Sequence, residues 1–358
     1  VYYSAILKEH IARAVDLLSD IVFHSVYPQA EIDKEVEVIC DEIESYNDSP
    51  AELIYDEFEN ILFKGSSLGH NILGTAEQVR SFTTEDALRF TRKLYRPDNA
   101  IFFAYGDIDF KKLVKLVGRA LADDDSGKLA EEDCHADFSG GTGFAGDENS
   151  ITTEKSVSSV KSVGPKNYPS VGEEIAGQTI VMQKNTHQAH VMIGTRAYDV
   201  NDDRRMPLYL LNNILGGPGM NAKLNLALRE HNGLVYTVES TMVAYGDTGT
   251  WSIYFGCDEH DIKRCLRLVR KELDRMMEKP LSDSQLKAAK KQIKGQIGVA
   301  CDNRENFALD FGKSFLHYGW EKNVDCLYEQ VEAITSQQIQ DVARELFDKN
   351  RLITLIFK

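Results

Sequence analysis

The strongest constraint on how this chain can fold is a pair of matching segments near the ends of its two halves. Phe82-Thr83-Thr84, with Ala87, Arg92, Leu94-Tyr95 and the apolar run from Ile101, corresponds to Ile334-Thr335-Ser336, with Ile339, Arg344, Leu346-Phe347 and the run from Ile353, at a constant spacing of 252 residues. A repeat of that length implies two copies of one supersecondary plan. The second copy has leading strands from about residue 177, so the same spacing puts the first copy's leading strands roughly 75 positions before Val1. The first copy is therefore expected to be incomplete, the chain starting inside a domain.

The hydrophobic pattern agrees with two α+β units. Apolar residues recur at helical spacing over about 5–24, 31–47, 50–63 and 84–95, then Ile101-Phe102-Phe103-Ala104-Tyr105 reads as a short buried strand, followed by a helix over 109–121. Beyond residue 177 the pattern predicts strands at about 179–183, 189–197, 235–244 and 250–257, helices between and after them, and a closing strand at 352–357. From Asp123 to Glu148 nine acidic residues face one base, Lys128, among glycines and serines, as expected of a solvated linker. The expected organisation is two homologous domains, each a β-sheet covered by helices: 1–122, the latter part of the first; 123–176, an acidic and polar linker; 177–358, the second.

Charge and composition exclude several functions. The balance of 41 basic against 56 acidic residues, −15 at neutral pH, repels phosphate backbones, so nucleic acid is not an expected partner. No apolar run reaches the roughly 20 residues that cross a bilayer, which excludes membrane insertion of these residues as helices. Six scattered cysteines without a C-x-x-C pair read as reduced thiols rather than a disulfide framework, and point to a reducing, cytoplasmic setting.

The segment from Glu31 to Asn47 carries the most chemistry. Ile32, Val36, Ile39, Ile43 and Tyr46 form its apolar stripe, and Glu35 and Glu42, two turns apart, fall together on one flank. Glu37, Asp41 and Glu44 point to the solvated side. Two readings of the flank stand open: boundary glutamates that pair with neighbouring bases, or two half-buried carboxylates serving a cation. The matching helix of the second copy, from Ser284 to Cys301, contains no Asp or Glu. That asymmetry is what one catalytic and one substrate-holding half would leave, and drift would leave it too.

At these residues the chain resembles the pitrilysin/insulinase-type inverted zincins, including mitochondrial processing peptidases and their bacterial relatives. Glu35-Val36-Glu37-Val38-Ile39-Cys40-Asp41-Glu42-Ile43 is similar to the family's E-x-x-V-I-x-x-E segment. Leu73-Gly74-Thr75, Thr84-Glu85-Asp86 and Tyr95-Arg96-Pro97-Asp98-Asn99 resemble the end of its first domain. Gln188-Ala189-His190-Val191, Leu211-Asn212-Asn213-Ile214-Leu215-Gly216-Gly217 and Arg229-Glu230-His231-Asn232-Gly233-Leu234-Val235-Tyr236 resemble its second-domain signatures. The resemblance implies a clam-like pair of domains and a zinc endopeptidase acting on peptides or unfolded segments. It makes Glu42 the distal Zn2+ ligand and Glu35 a supporting carboxylate. Arg229 and Tyr236 would reach the substrate from the second domain, as donors suited to a developing carbonyl oxyanion.

One departure is large. The family's H-x-x-E-H, which supplies two zinc-binding histidines and the general base, occurs nowhere in this sequence, nor does H-E-x-x-H. The expectation is therefore a truncated, inactive portion of a zinc peptidase, lacking the upstream segment that would hold that motif. The alternative is a non-catalytic peptide-binding or structural partner in a two-chain peptidase, assembled as a homodimer or with a related subunit. Other motifs carry less: His187 and His190 are three apart in a strand pattern and should point to opposite faces. Gly312-Lys313-Ser314 sits in a helical setting, Cys134-His135 lies in the linker, and Gly216-Gly217-Pro218-Gly219 reads as a turn, or by resemblance as a flexible peptide-contacting loop.

Overall fold

The computed structural model describes residues 1–122, 175–184, 186–319 and 323–358. Almost the whole of the linker expected at 123–176 lies outside them. The described residues form two compact units: 1–29, 83–122 and 304–319 in one, 30–82, 175–184, 186–303 and 323–358 in the other. The sequence boundaries follow chain order; the units do not.

The larger unit is built on a five-stranded sheet of β1 (Thr179–Met182), β2 (Ala189–Ala197), β3 (Val235–Ala244), β4 (Gly249–Cys257) and β5 (Ile353–Phe357). Their order is β1-β5-β2-β4-β3; β1 and β5 are parallel and the other pairs antiparallel. β2 and β4 are buried on both faces, which is why they read as nearly unbroken apolar runs instead of alternating ones. Alternation still sorts their side chains. Val191, Ile193, Trp251, Ile253 and Phe255 face one core, with Trp251 on Phe347 at 4.4 Å between ring centres; Met192 and Tyr254 face another.

The first core is covered by α7 (Arg205–Gly216), α8 (Ile262–Glu278), α9 (Asp283–Asp302), α11 (Val324–Ala333) and α12 (Ser336–Leu346). The second is covered by α3 (Pro50–Leu62), which presents Leu53, Ile54, Phe58 and Leu62 to Met192, Leu355 and Phe357. α3 comes from the first copy, so the second copy's sheet has a first-copy helix on its far face. In the smaller unit the relation is reversed: α10 (Arg304–Tyr318), from the second copy, sets Phe311 against Phe103 at 5.0 Å and Phe307 against Tyr105 at 5.7 Å.

The duplication is plain in the helices. α1 (Ile11–Phe23), α2 (Gln29–Asn47), α3 and α5 (Thr84–Leu94) begin 251 to 254 residues before α8, α9, α10 and α12. α5 and α12 even open on the same device, a capping box in which Thr83 pairs with Asp86 and Thr335 with Gln338. The sequence reading missed the short α4 (Ala76–Arg80); α6 (Phe110–Ala122) falls where a helix is predicted.

One element differs. The run 101–105 is not a strand: it pairs with no neighbour among the described residues, and Ile101 and Phe102 stay 38% and 41% exposed. A strand exists only through its ladder. Its second-copy counterpart, β5, is held on one side by β1 and on the other by β2.

Because Phe58 is 2% exposed at the centre of the α3 seat, Phe58→Ala should destabilise the larger unit by about 3–5 kcal/mol. Urea unfolding would register this as a lower midpoint at unchanged slope.

Candidate functional site

α2 packs through Ile32, Val36, Ile39, Cys40 and Ile43 on Ala76 and Val79 of α4. That stripe fixes the helix's rotation and leaves Glu35 and Glu42 on its outer flank, separated by about 10.5 Å along the axis. Both are exposed, and neither makes an ion pair or hydrogen bond among the described residues. The half-buried placement expected from the helical wheel is therefore corrected: α4 covers only the centre of the stripe and reaches neither flank. Val38, on the same side as the two glutamates, is 51% exposed. Glu37 instead lies 3.7 Å from Arg80, an exposed ion pair of the kind that contributes little.

Helix starts align α2 with α9, setting Ile32, Ile39 and Ile43 on Leu286, Ile293 and Ile297. In that register Glu35 corresponds to Ala289 and Glu42 to Gln296. Gln296 does not face water alone: its Oε1 accepts a 2.6 Å hydrogen bond from Asn213 Nδ2. One helical position thus carries a free carboxylate in the first copy and a paired amide in the second.

Arg229 and Tyr236 flank a tight turn. Arg229 lies in the π-helical segment Asn225–Glu230, where its guanidinium comes within 3.7 Å of Glu230. The chain then reverses through Gly233, at φ +60°, with Gly233 N–H donating to Arg229 O at 2.8 Å and Leu234 N–H to Leu228 O at 2.9 Å. Asn232 braces the turn, donating to Ala227 O at 2.8 Å and accepting from Arg264 at 2.9 Å. Immediately beyond, β3 bulges: Val235 pairs with Cys257 and Val238 with Phe255, so two residues, Tyr236 and Thr237, stand opposite one. Next to the buried Val235, Tyr236 points outward and is 84% exposed, so it is no packing aromatic of the sheet.

A further cluster escaped the sequence reading, which treated α3 only as an amphipathic helix. Tyr55 donates to Glu239 of β3, and Tyr245 OH lies 3.2 Å from both carboxylate oxygens of Glu59. Burial raises the Glu59 carboxyl above the usual carboxylate range, against the lowering effect of Tyr245, and burial beside Glu59 pushes Tyr245 up to about 12. The signal was the i, i+4 spacing of Tyr55 and Glu59 on one side of α3.

The remaining motifs are resolved by their settings. His187 precedes β2 instead of lying in it, so strand alternation does not separate it from His190; both line one groove with Asp48 and Lys184. His190 Nδ1 is 2.9 Å from Tyr254 OH, and burial lowers its pKa. Gly312-Lys313-Ser314 lies inside α10, and Cys134-His135 falls outside the described residues. The loop 216–219 is bracketed by side-chain amides, Asn213 bonding to Gln296 and Asn221 to Gln292.

A catalytic zinc takes three protein ligands and an open position. Among the described residues, one trio brings three metal-capable side chains within 4.8 Å, the exposed Asp258, His260 and partly exposed Asp261, and it contains none of the expected site residues. Glu42 fits zinc as a single donor; among the described residues no further metal-capable side chain joins it.

The family model for the insulinase type of peptidase family M16 matches residues 1–76, and the model for the peptidase M16 inactive domain matches 81–293, more than half of the chain. An uncharacterized zinc protease of Bacillus subtilis, YmxG, is 26% identical over 358 residues, covering 99% of this chain and 77% of the relative. Another uncharacterized zinc protease, of Streptomyces coelicolor, is 27% identical, covering 99% and 71%. Among solved structures, a protease from Helicobacter pylori superposes with a TM-score of 0.77 at 17% identity, over 99% of this chain and 78% of that one. A peptidase M16 inactive domain from Pseudomonas fluorescens gives 0.70 at 15%, over 96% and 74%.

Two measurements check this geometry. Tyr236→Ala should leave the unfolding midpoint unchanged, whereas Gly233→Ala, forced into a left-handed conformation, should cost about 1 kcal/mol. Glu59→Gln keeps an acceptor for Tyr245 and removes a desolvated charge. It should match or exceed wild-type stability at pH 7. The raised folded-state pKa means that ionised Glu59 opposes folding above it, so the difference should shrink as pH falls through that value.

Proposed function

The chain belongs to peptidase family M16, its α+β fold is that of the family, and from that premise we propose that it serves a zinc-dependent endopeptidase of peptides or unfolded segments. The Glu35–Glu42 pair carries the proposal: two free carboxylates two turns apart on an exposed helix flank, replaced in the duplicate by Ala289 and Gln296. A scaffold has no evident need for that difference. In this proposal Glu42 is the carboxylate donor to zinc and Glu35 supports it electrostatically. No hydrolytic step is assigned to this chain alone: among the described residues Glu42 has no further metal donor beside it.

Arg229 and Tyr236 act on the peptide. Both are exposed and held by a braced turn and a bulge, so both can donate to a peptide carbonyl oxygen without reorganising. Binding of an extended segment is the chemistry these donors support. A second role, a non-catalytic peptide-binding partner of a two-chain peptidase, is favoured by the match of 81–293 to the inactive-domain model and by Glu42 having no second donor beside it among the described residues.

Zinc calorimetry and peptide anisotropy on this chain test the assignment. Zinc should bind weakly; Glu42→Gln should remove that binding while Glu37→Gln leaves it intact, and equal effects would move Glu42 to the surface background. Arg229→Ala and Tyr236→Ala should each weaken binding of an unstructured peptide. In the complete protease, Tyr236→Phe should lower kcat by about 10²- to 10³-fold at unchanged zinc content. If both glutamate variants are silent but the peptide effects persist, the partner role replaces the catalytic one.

A further inference from the structure

Side-chain amides join α9 to the chain just beyond α7. Besides the bond from Asn213 to Gln296, Asn221 Nδ2 donates to Gln292 Oε1 at 2.9 Å and Gln292 Nε2 returns a bond to Asn221 Oδ1 at 3.3 Å. Gln292 and Gln296 are one turn apart and so share a face of α9. Asn213 precedes the loop and Asn221 comes after it, so the two pairs grip it at both ends.

The glycines between them fit that grip. A Cβ at Gly217 would stand 2.7 Å from Asn213 Nδ2, and one at Gly219 would stand 2.5 Å from Asn221 Oδ1 and 2.7 Å from Gln292 Nε2. Backbone and amides are therefore packed as one piece. The grip then passes onward, because Asn225 Nδ2 donates to Met220 O at 2.9 Å and Asn225 opens the π-helical segment that carries Arg229. Hydrogen bonds from Gln292 to Asn221 and from Asn225 to Met220, joined by the backbone between residues 220 and 221, link α9 through the loop to that segment.

Stability alone is a poor account of this line. α7 is already anchored by Leu208, Leu211 and Leu215, each fully buried, and each such leucine contributes several times what a partly exposed neutral hydrogen bond does. The amides add placement, both of the loop and of the π-helical segment after it. We propose that Gln292 and Gln296 are positioning residues that hold the 216–221 loop and, through Asn225, the segment bearing Arg229, in the arrangement that takes an extended peptide. The proposal rests on the peptide-contact role of Arg229. The position that bears Glu42 in one copy thus supports the peptide surface in the other.

The test uses the whole chain with Gln292→Leu, Gln296→Leu, Gln296→Glu and Arg229→Ala. Hydrogen exchange of the Gly219, Met220 and Asn221 amides is monitored beside anisotropy of a fluorescein-labelled unstructured peptide and the unfolding midpoint. Both leucine variants should speed exchange in the loop and weaken the peptide by about 3- to 10-fold, the equivalent of one lost hydrogen bond, at a nearly unchanged midpoint. Gln296→Glu keeps the acceptor for Asn213 and should remain near wild type. Unchanged loop exchange in the leucine variants, or a Gln296→Glu variant as weak as Gln296→Leu, would overturn the proposal. Loss of peptide affinity in Arg229→Ala but not in the leucine variants overturns it while sparing the peptide-contact role. Faster exchange and weaker binding in the leucine variants with Arg229→Ala silent supports the positioning of the loop and sinks the role of Arg229. A wild-type chain that binds no peptide overturns both.

Discussion

The seat of α3 on the far face of the sheet is the interaction on which the larger unit depends. A sheet whose central strands carry apolar side chains on both faces needs two covers. α7, α8, α9, α11 and α12 supply one, and Ile54, Phe58 and Leu62 supply the other against Met192, Leu355 and Phe357. Since α3 belongs to the first copy and α10 packs with first-copy residues in the smaller unit, duplication did not yield two self-sufficient pieces. Each copy lends the other a helix, and this is why compactness and chain order disagree.

The duplicate also shows how one scaffold diverges in chemistry while its packing stays constant. The stripe of Ile32, Ile39 and Ile43 recurs as Leu286, Ile293 and Ile297, keeping the helix in place. Flank positions are free of that constraint. Glu35 and Glu42 on α2 give way to Ala289 and Gln296 on α9, and Val38 to Gln292; the two amides can both donate and accept, which suits a loop whose groups must be satisfied in both senses.

How much was legible in the sequence depends on where the determinants lie. β2, β3, β4 and most helices could be read because their signals are local: apolar periodicity, Thr capping boxes, glycine turns. The 252-residue repeat was readable for the same reason, since Thr83 and Thr335 open equivalent helices in the same way. The failure at 101–105 was non-local, because pairing depends on neighbours that composition does not specify. The exchange of α3 and α10 was equally hidden, as an apolar stripe does not say which sheet it will meet. At the candidate site, the bulge between Val235 and Val238 rephases the alternation of β3 beyond Tyr236 and leaves no clear mark in the sequence. The exposure of Glu35 and Glu42 needed the actual extent of α4.

The place of β5 has a consequence for how the polypeptide reaches its native state. Among the described residues β1 pairs in the sheet with β5 alone, and β5 lies between β1 and β2 although more than 150 residues separate it from either. β1 must therefore wait, unladdered, while everything from β2 to α12 is synthesised, and only then can the final pairing close over it. Such closure of distant segments is slow and leaves strand edges open meanwhile. In the nascent chain, β2 and β1 are consequently the surfaces that a chaperone would meet first.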